Sequence, residues 1–197
     1  MDLIIYIHGK NGSPNEAEHY KNIFPACDVI GLEYKSFLPY ENAEEIRRAV
    51  TNFKSSYDKI IFVANSIGAY FAMNAGIDAE IFKAYFISPI VDMEELILKL
   101  METCNVTEDE LKSKGVIQID GGEILSWKYL SYVRAHPLKW KVPTKILYGG
   151  NDDVTSIETL KSFAEKFNAE VTIMADGEHW FHTDAQIKFL DNWIGIN

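Results

Sequence analysis

The chain predicts a doubly wound α/β fold, with a mostly parallel six-stranded sheet and helices on both of its faces. Two observations carry this. Six short runs rich in Ile and Val, most of them apolar at nearly every position, suit strands covered on both sides. Between them lie segments whose apolar residues recur at helical spacing, as crossover helices require.

The strands are expected at residues 3–7, 28–32, 59–64, 84–88, 144–148 and 170–174. Residues 41–53 offer Ala43, Ile46, Val50 and Phe53 as one helical stripe, and residues 157–167 offer Ile157, Leu160, Phe163, Ala164 and Phe167. Ser156 stands where an N-cap is wanted. The last helix, about residues 183–193, carries Ile187 and Leu190 with Ile194 just beyond. Residues 89–142 break the rhythm, being too long for one crossover and holding several helical pieces. Thr107 and Glu110 have capping-box spacing, Trp127, Tyr129, Leu130, Tyr132 and Val133 mark another helix, and Gly115 and Gly121-Gly122 punctuate the stretch. This part is expected to be a small helical cap within a single domain spanning 1–197.

Composition narrows the function. Lys and Arg total 19 against 29 Asp and Glu, a net charge of −10, which disfavours nucleic acid and anionic membrane as partners. No apolar run is long enough to span a bilayer. The opening apolar stretch lacks a basic leader and stops at His8-Gly9, so it reads as a first strand and the expected compartment is cytoplasmic. Cys27 and Cys104 lie far apart without metal-like spacing and read as free thiols.

The chemistry centres on Ala64-Asn65-Ser66-Ile67-Gly68, where the third strand gives way to a helix beginning near Ala69. Such a turn lifts the serine oxygen out of the sheet and sets the Ile67 N–H at the positive end of a helix. Alone, a serine between small residues is more often a helix N-cap. Two later loops change that reading. Tyr148-Gly149-Gly150-Asn151-Asp152-Asp153 follows the fifth strand, and Asp176-Gly177-Glu178-His179-Trp180-Phe181-His182 follows the sixth. Both emerge at the sheet edge where ligands bind in open α/β sheets. Apart, the aspartates are ordinary turn residues and the histidine an ordinary surface residue. Together with Ser66 they supply a nucleophile, a base and a group to hold the base.

These motifs resemble the α/β-hydrolase family along nearly the whole chain. Residues 64–68 are similar to its G-x-S-x-G elbow, with Ala64 in place of the first glycine. The resemblance implies Ser66 as nucleophile, His179 in a Gly-x-His motif as general base, and Asp152 in a Gly-x-x-Asp motif as the acid. Asp153 and His182 are the reserve choices. His8-Gly9 matches the motif after the first strand, and the Lys10 or Asn11 N–H would complete an oxyanion hole with that of Ile67. His8 itself is expected to support that loop. The implied reaction is hydrolysis of a small-molecule carboxylic ester with a small or medium acyl group through an acyl-enzyme, without metal or organic cofactor. Thioesters and amides place the same demands on Ser66. The rival readings are a metal site around His179 and His182, which lacks a third convergent ligand at recognisable spacing, and a non-catalytic binding protein on the same fold. Tyr40, Tyr70, Trp127, Tyr129, Trp140 and Trp180 are candidate pocket walls that equally suit a core. Lys10, Lys128 and Arg134 are candidate contacts for an acidic substrate that equally suit solvated surface.

Overall fold

The computed structural model describes residues 1–119 and 122–195, so Gly121 of the Gly121-Gly122 breaker lies outside the described residues. Strands form at β1 (Asp2–Ile7), β2 (Cys27–Gly31), β3 (Ile60–Asn65), β4 (Lys83–Ile87), β5 (Val116–Gln118), β6 (Ile124–Ser126), β7 (Thr144–Gly149) and β8 (Glu170–Met174). The helices are α1 (Glu18–Lys21), α2 (Pro39–Phe53), α3 (Ile67–Asn74), α4 (Met93–Thr103), α5 (Glu108–Lys114), α6 (Trp127–Ala135), α7 (Ile157–Phe167) and α8 (Asp184–Gly195). Six strands make one sheet in the order β2-β1-β3-β4-β7-β8, and every pairing in it is parallel.

The sheet is covered on both faces, which is why its strands are apolar throughout. Successive residues alternate between two cores. Leu3, Ile5, Ile7, Phe62, Ala64 and Phe86 pack on one side with Ile46 and Val50 of α2 and Ala69 and Ala72 of α3. Ile4, Tyr6, Val63, Tyr85 and Ile87 pack on the other with Leu190, Trp193 and Ile194 of α8. The register sets Ile7 beside Ala64 and Asn65 beside Ile87. Parallel strands in that register end together, so the loops after β1, β3, β4, β7 and β8 leave from one edge.

Between β4 and β7 the chain adds more than helices. α4, α5 and α6 are joined by an antiparallel ribbon in which Val116, Ile117 and Gln118 face Ser126, Leu125 and Ile124. Strands of three residues are too short to show alternation, and this ribbon leaves Val116 and Ile124 exposed, so its pattern was hidden in the sequence. Gly115 ends α5 at φ 75°, in the left-handed region that the expected breaker supplies. The Thr107 hydroxyl accepts the Glu110 N–H at 3.2 Å, capping α5 as the spacing suggested. Among the described residues no helix is long and apolar enough to cross a membrane.

α7 shows how local chemistry fixes an element next to the functional edge. Ser156 is extended, its hydroxyl accepts the Thr159 N–H at 3.0 Å, and Leu160, Phe163 and Ala164 turn inward. At the far end Asn168 adopts φ 54° and stops the helix. Ser156→Ala should lower the unfolding free energy by about 1 kcal/mol in urea titrations, the usual cost of an N-cap, with the slope unchanged.

Candidate active site

Ser66 occupies a backbone conformation that serine seldom adopts, with φ 52° and ψ −122°. Its surroundings hold it there. The Ser66 N–H donates to the Ile87 carbonyl at 2.9 Å, and the Ser66 carbonyl accepts from both the Ala69 and Ile90 N–H groups at 3.1 Å. The side chain makes no capping bond to α3, so the N-cap reading of this serine fails. Its hydroxyl lies instead 2.8 Å from His179 Nε2.

Gly68 lets α3 start where it does. A Cβ at this position would stand 2.4 Å from the Ile7 carbonyl oxygen and 2.5 Å from that of His8, inside any allowed contact. The first position of the motif is more forgiving: Ala64 is fully buried in the sheet and its methyl is part of the core.

The second loop delivers a carboxylate. Asp152 is completely shielded from solvent at its side chain, and each of its oxygens is engaged. Oδ1 accepts the Val154 N–H at 2.8 Å and the Thr155 N–H at 3.0 Å, while Oδ2 lies 2.8 Å from His179 Nδ1. A carboxylate can only accept, so Nδ1 carries the proton, Nε2 of the neutral ring is the acceptor, and the Ser66 hydroxyl donates to it. The hydrogen bonds thus run in the order Ser66, His179, Asp152.

Backbone packing aligns the two loops. Gly150 N–H donates to the Met174 carbonyl and Asn151 N–H to the Gly177 carbonyl, both at 2.8 Å. A Cβ on Gly150 would stand 2.3 Å from the Ala175 oxygen, so only glycine permits this approach. Asp153, the reserve acid, instead accepts Lys99 Nζ at its carbonyl, 2.8 Å away. His182, the reserve base, donates through Nδ1 to the Trp180 carbonyl at 2.8 Å and stacks on the Trp180 ring. Neither joins the Ser66 constellation, and around the rival His179–His182 site, as elsewhere among the described residues, no group of three or more His, Cys, Asp and Glu side chains is placed to hold a metal ion.

The loop after β1 lies against the elbow. An added Cβ on Gly9 would be 3.2 Å from Ser66 Cβ. Residues 9–12 turn tightly, with the Gly12 N–H donating to the Gly9 carbonyl at 3.2 Å and Asn11 at φ 61°. Lys10 and Asn11 thus both belong to the turn facing Ser66, and the Ile67 N–H, first in α3, has no partner within the helix. His8 is buried, as its expected supporting role requires. Its ring stacks on Tyr34 at 4.2 Å, its Nδ1 donates to the Gly9 carbonyl at 2.8 Å, and the Tyr34 hydroxyl donates to the His8 carbonyl.

Most of the other candidate residues are committed elsewhere. Tyr70 and Trp140 are buried in the core, where Trp140 Nε1 donates to Thr144 at 2.7 Å. Arg134 is forked between Glu94 and Glu108, Lys128 sits 4.1 Å over the Tyr40 ring, and Lys10 pairs with Glu123. Partial burial pulls the Lys10 ammonium below the usual lysine pKa. Trp180, by contrast, is 68% exposed beside His179. A cavity of about 330 Å³ opens there, with Asn65, Ile87, Trp180, Phe181 and Leu190 among its walls. Tyr6 and Glu16 also line it, and a larger cavity of about 490 Å³ lies among α4, α6 and α7; neither has Ser66, Asp152 or His179 in its lining. Sequence reading missed Tyr6 and Glu16, whose side chains are hydrogen-bonded to each other below the β1 loop. The one available signal was the Ser13-x-x-Glu16 spacing.

A family model described as "Uncharacterised protein family (UPF0227)" matches residues 3–188. The chain belongs to that family. No curated protein matches the sequence. Among solved structures, UPF0227's member here is similar to alpha/beta hydrolase domain-containing protein 10 from mouse, with TM-score 0.74, 17% identity, and 98% of this chain and 87% of that one covered. It is similar also to the Pyrococcus furiosus esterase Pf2001, with TM-score 0.62, 18% identity and coverage of 99% and 81%. The thioesterase domain from the curacin biosynthetic pathway aligns with TM-score 0.59, 14% identity and coverage of 98% and 90%. This UPF0227 chain therefore has the α/β-hydrolase fold.

Gly68→Ala tests the close approach at the elbow. Forcing a methyl between α3 and the end of β1 should destabilise the chain by about 1 to 3 kcal/mol in denaturant titrations, as overpacking does. Ala64→Gly, which removes a buried methyl and frees the backbone, should cost about 1 to 2 kcal/mol.

Proposed function

We propose that this chain is a serine hydrolase acting on small carboxylic esters, with Ser66 as nucleophile, His179 as general base and Asp152 holding the imidazole. The observation that carries the reading is the unbroken hydrogen-bonded chain from Ser66 Oγ through His179 to the buried Asp152 carboxylate. A serine hydroxyl is a weak nucleophile until a base removes its proton as it attacks. His179 Nε2 is the acceptor at hydrogen-bond distance, and Asp152 stabilises the imidazolium that forms. The attack places negative charge on the substrate oxygen. The Ile67 N–H and one amide of the Lys10-Asn11 turn are the donors proposed to meet it. Loss of one such donor costs on the order of 3 kcal/mol in the transition state, so the turn contributes as much as a side chain. His179 then returns the proton to the leaving alcohol, and water releases the acid by the same route in reverse.

A thioester is the second reading, favoured by the similarity to a thioesterase domain, and it needs no change in the three residues. The proposal includes no nucleic acid or membrane partner.

A fluorophosphonate probe should label the folded wild-type chain at Ser66 and leave Ser66→Ala unlabelled. An unlabelled wild type, folded by circular dichroism, would point to a binding protein. Asp152→Asn keeps an acceptor for the Val154 and Thr155 amides but cannot hold the Nδ1–H tautomer, so kcat should fall about 10³- to 10⁴-fold. Ester and thioester series of graded acyl length should show kcat/KM highest for small and medium acyl groups.

A further inference from the structure

The turn at residues 9–12 has little of its own to fix it. It carries two glycines, is partly exposed, and includes Asn11 at a positive φ. A loop of this kind presents an amide to a reacting oxygen only if its neighbours hold it, because misplacement by about 1 Å can cost on the order of 100-fold in rate. His8 and Tyr34 hold one end. The other end is held by a carboxylate.

Glu16 Oε1 accepts the Ser13 N–H at 3.0 Å, one residue beyond the turn, and a Cβ on Gly12 would lie 2.8 Å from the same oxygen. Glu16 Oε2 accepts the Tyr6 hydroxyl at 2.5 Å. Tyr6 is 2% exposed near the end of β1. Tyr6 is paired in register with Val63, so Asn65 is its diagonal neighbour on the same face of β3 and directly precedes Ser66. A hydrogen-bonded path therefore runs from the amide after the turn, through Glu16, to Tyr6 in β1, the strand paired with the one that leads into the nucleophile.

We propose that Glu16 is a positioning residue that ties the β1 turn back to Tyr6, and so to the paired strands β1 and β3 that end at the Ser66 elbow, setting the distance between the two halves of the oxyanion hole. This inference rests on the hydrolase reading above. Glu16 acts through geometry and not through charge. Its carboxylate is exposed and so screened by solvent, and a negative group near a developing oxyanion would oppose the reaction. The bonds it accepts are charge-assisted and rigid, which suits an anchor. Glutamine would preserve the link, because its oxygen can accept the Ser13 N–H while its amino group donates to Tyr6. The Tyr6 hydroxyl can accept as well as donate, so it follows the change.

The test compares wild type, Glu16→Ala, Glu16→Gln and Tyr6→Phe on a short-chain 4-nitrophenyl ester, with folding followed by circular dichroism. Glu16→Ala and Tyr6→Phe should lower kcat about 10- to 100-fold with KM within about 3-fold, and the double variant should be no slower than the slower single one. Glu16→Gln should restore most of the rate. A trifluoromethyl ketone, whose adduct carries an oxyanion, should bind Glu16→Ala more weakly by the same factor as kcat falls. Unchanged kcat in Glu16→Ala, a change confined to KM, or a Glu16→Gln as slow as Glu16→Ala would overturn the proposal. If Glu16→Ala fails to fold, Tyr6→Phe and Glu16→Gln carry the comparison. A wild type that hydrolyses the ester while Glu16→Ala matches it defeats this inference alone, whereas a wild type with neither turnover nor Ser66 labelling defeats the hydrolase reading with it.

Discussion

The Ser66 to His179 hydrogen bond depends on a backbone that serine ordinarily avoids. A non-glycine residue at φ 52° with ψ −122° costs on the order of 1 to 3 kcal/mol and persists only where its surroundings insist on it. Here three backbone hydrogen bonds insist, to Ile87, Ala69 and Ile90, each contributing about 0.5 to 1.5 kcal/mol. Two of these partners, Ile87 and Ile90, follow from β4 lying beside β3 in parallel register. The sheet thus stabilises the strained turn, and the strained turn directs the hydroxyl away from helix capping toward the imidazole.

The same sheet explains why the other groups arrive. Parallel strands with aligned ends send the loops after β1, β7 and β8 to one edge, and close backbone contacts then set their spacing. Gly68 admits α3 against the carbonyls of β1, while Gly150 admits the Asp152 loop against the chain that carries His179. Side-chain chemistry is added last. Asp152 is buried yet fully bonded, and its capacity only to accept dictates the histidine tautomer and hence the direction of the serine proton.

Much of this was legible in the residue order. The buried strands announced themselves because both faces are covered, and α7 was bounded correctly at both ends by Ser156 and the last apolar residue of its stripe. The order of Ser66, Asp152 and His179 could be read because each follows a recognisable strand. Other features could not be. The β5–β6 ribbon is three residues on each side, with no period to detect. Asp152 and Asp153 are chemically alike, and what separates them is which one finds the Val154 and Thr155 amides in the folded turn. Glu16 was invisible as a partner of Tyr6 because their contact exists only once β1 and the turn beyond it are folded together.

The central claim is that Ser66 forms a covalent acyl intermediate. Rapid mixing with a 4-nitrophenyl ester, followed by acid quench and peptide mass spectrometry, measures it directly. The account predicts a peptide carrying residues 60–74 that gains the mass of the acyl group at Ser66 during turnover, and no such gain in Ser66→Ala. Release of 4-nitrophenol with the acyl mass on another residue, or undiminished turnover in Ser66→Ala, would contradict it.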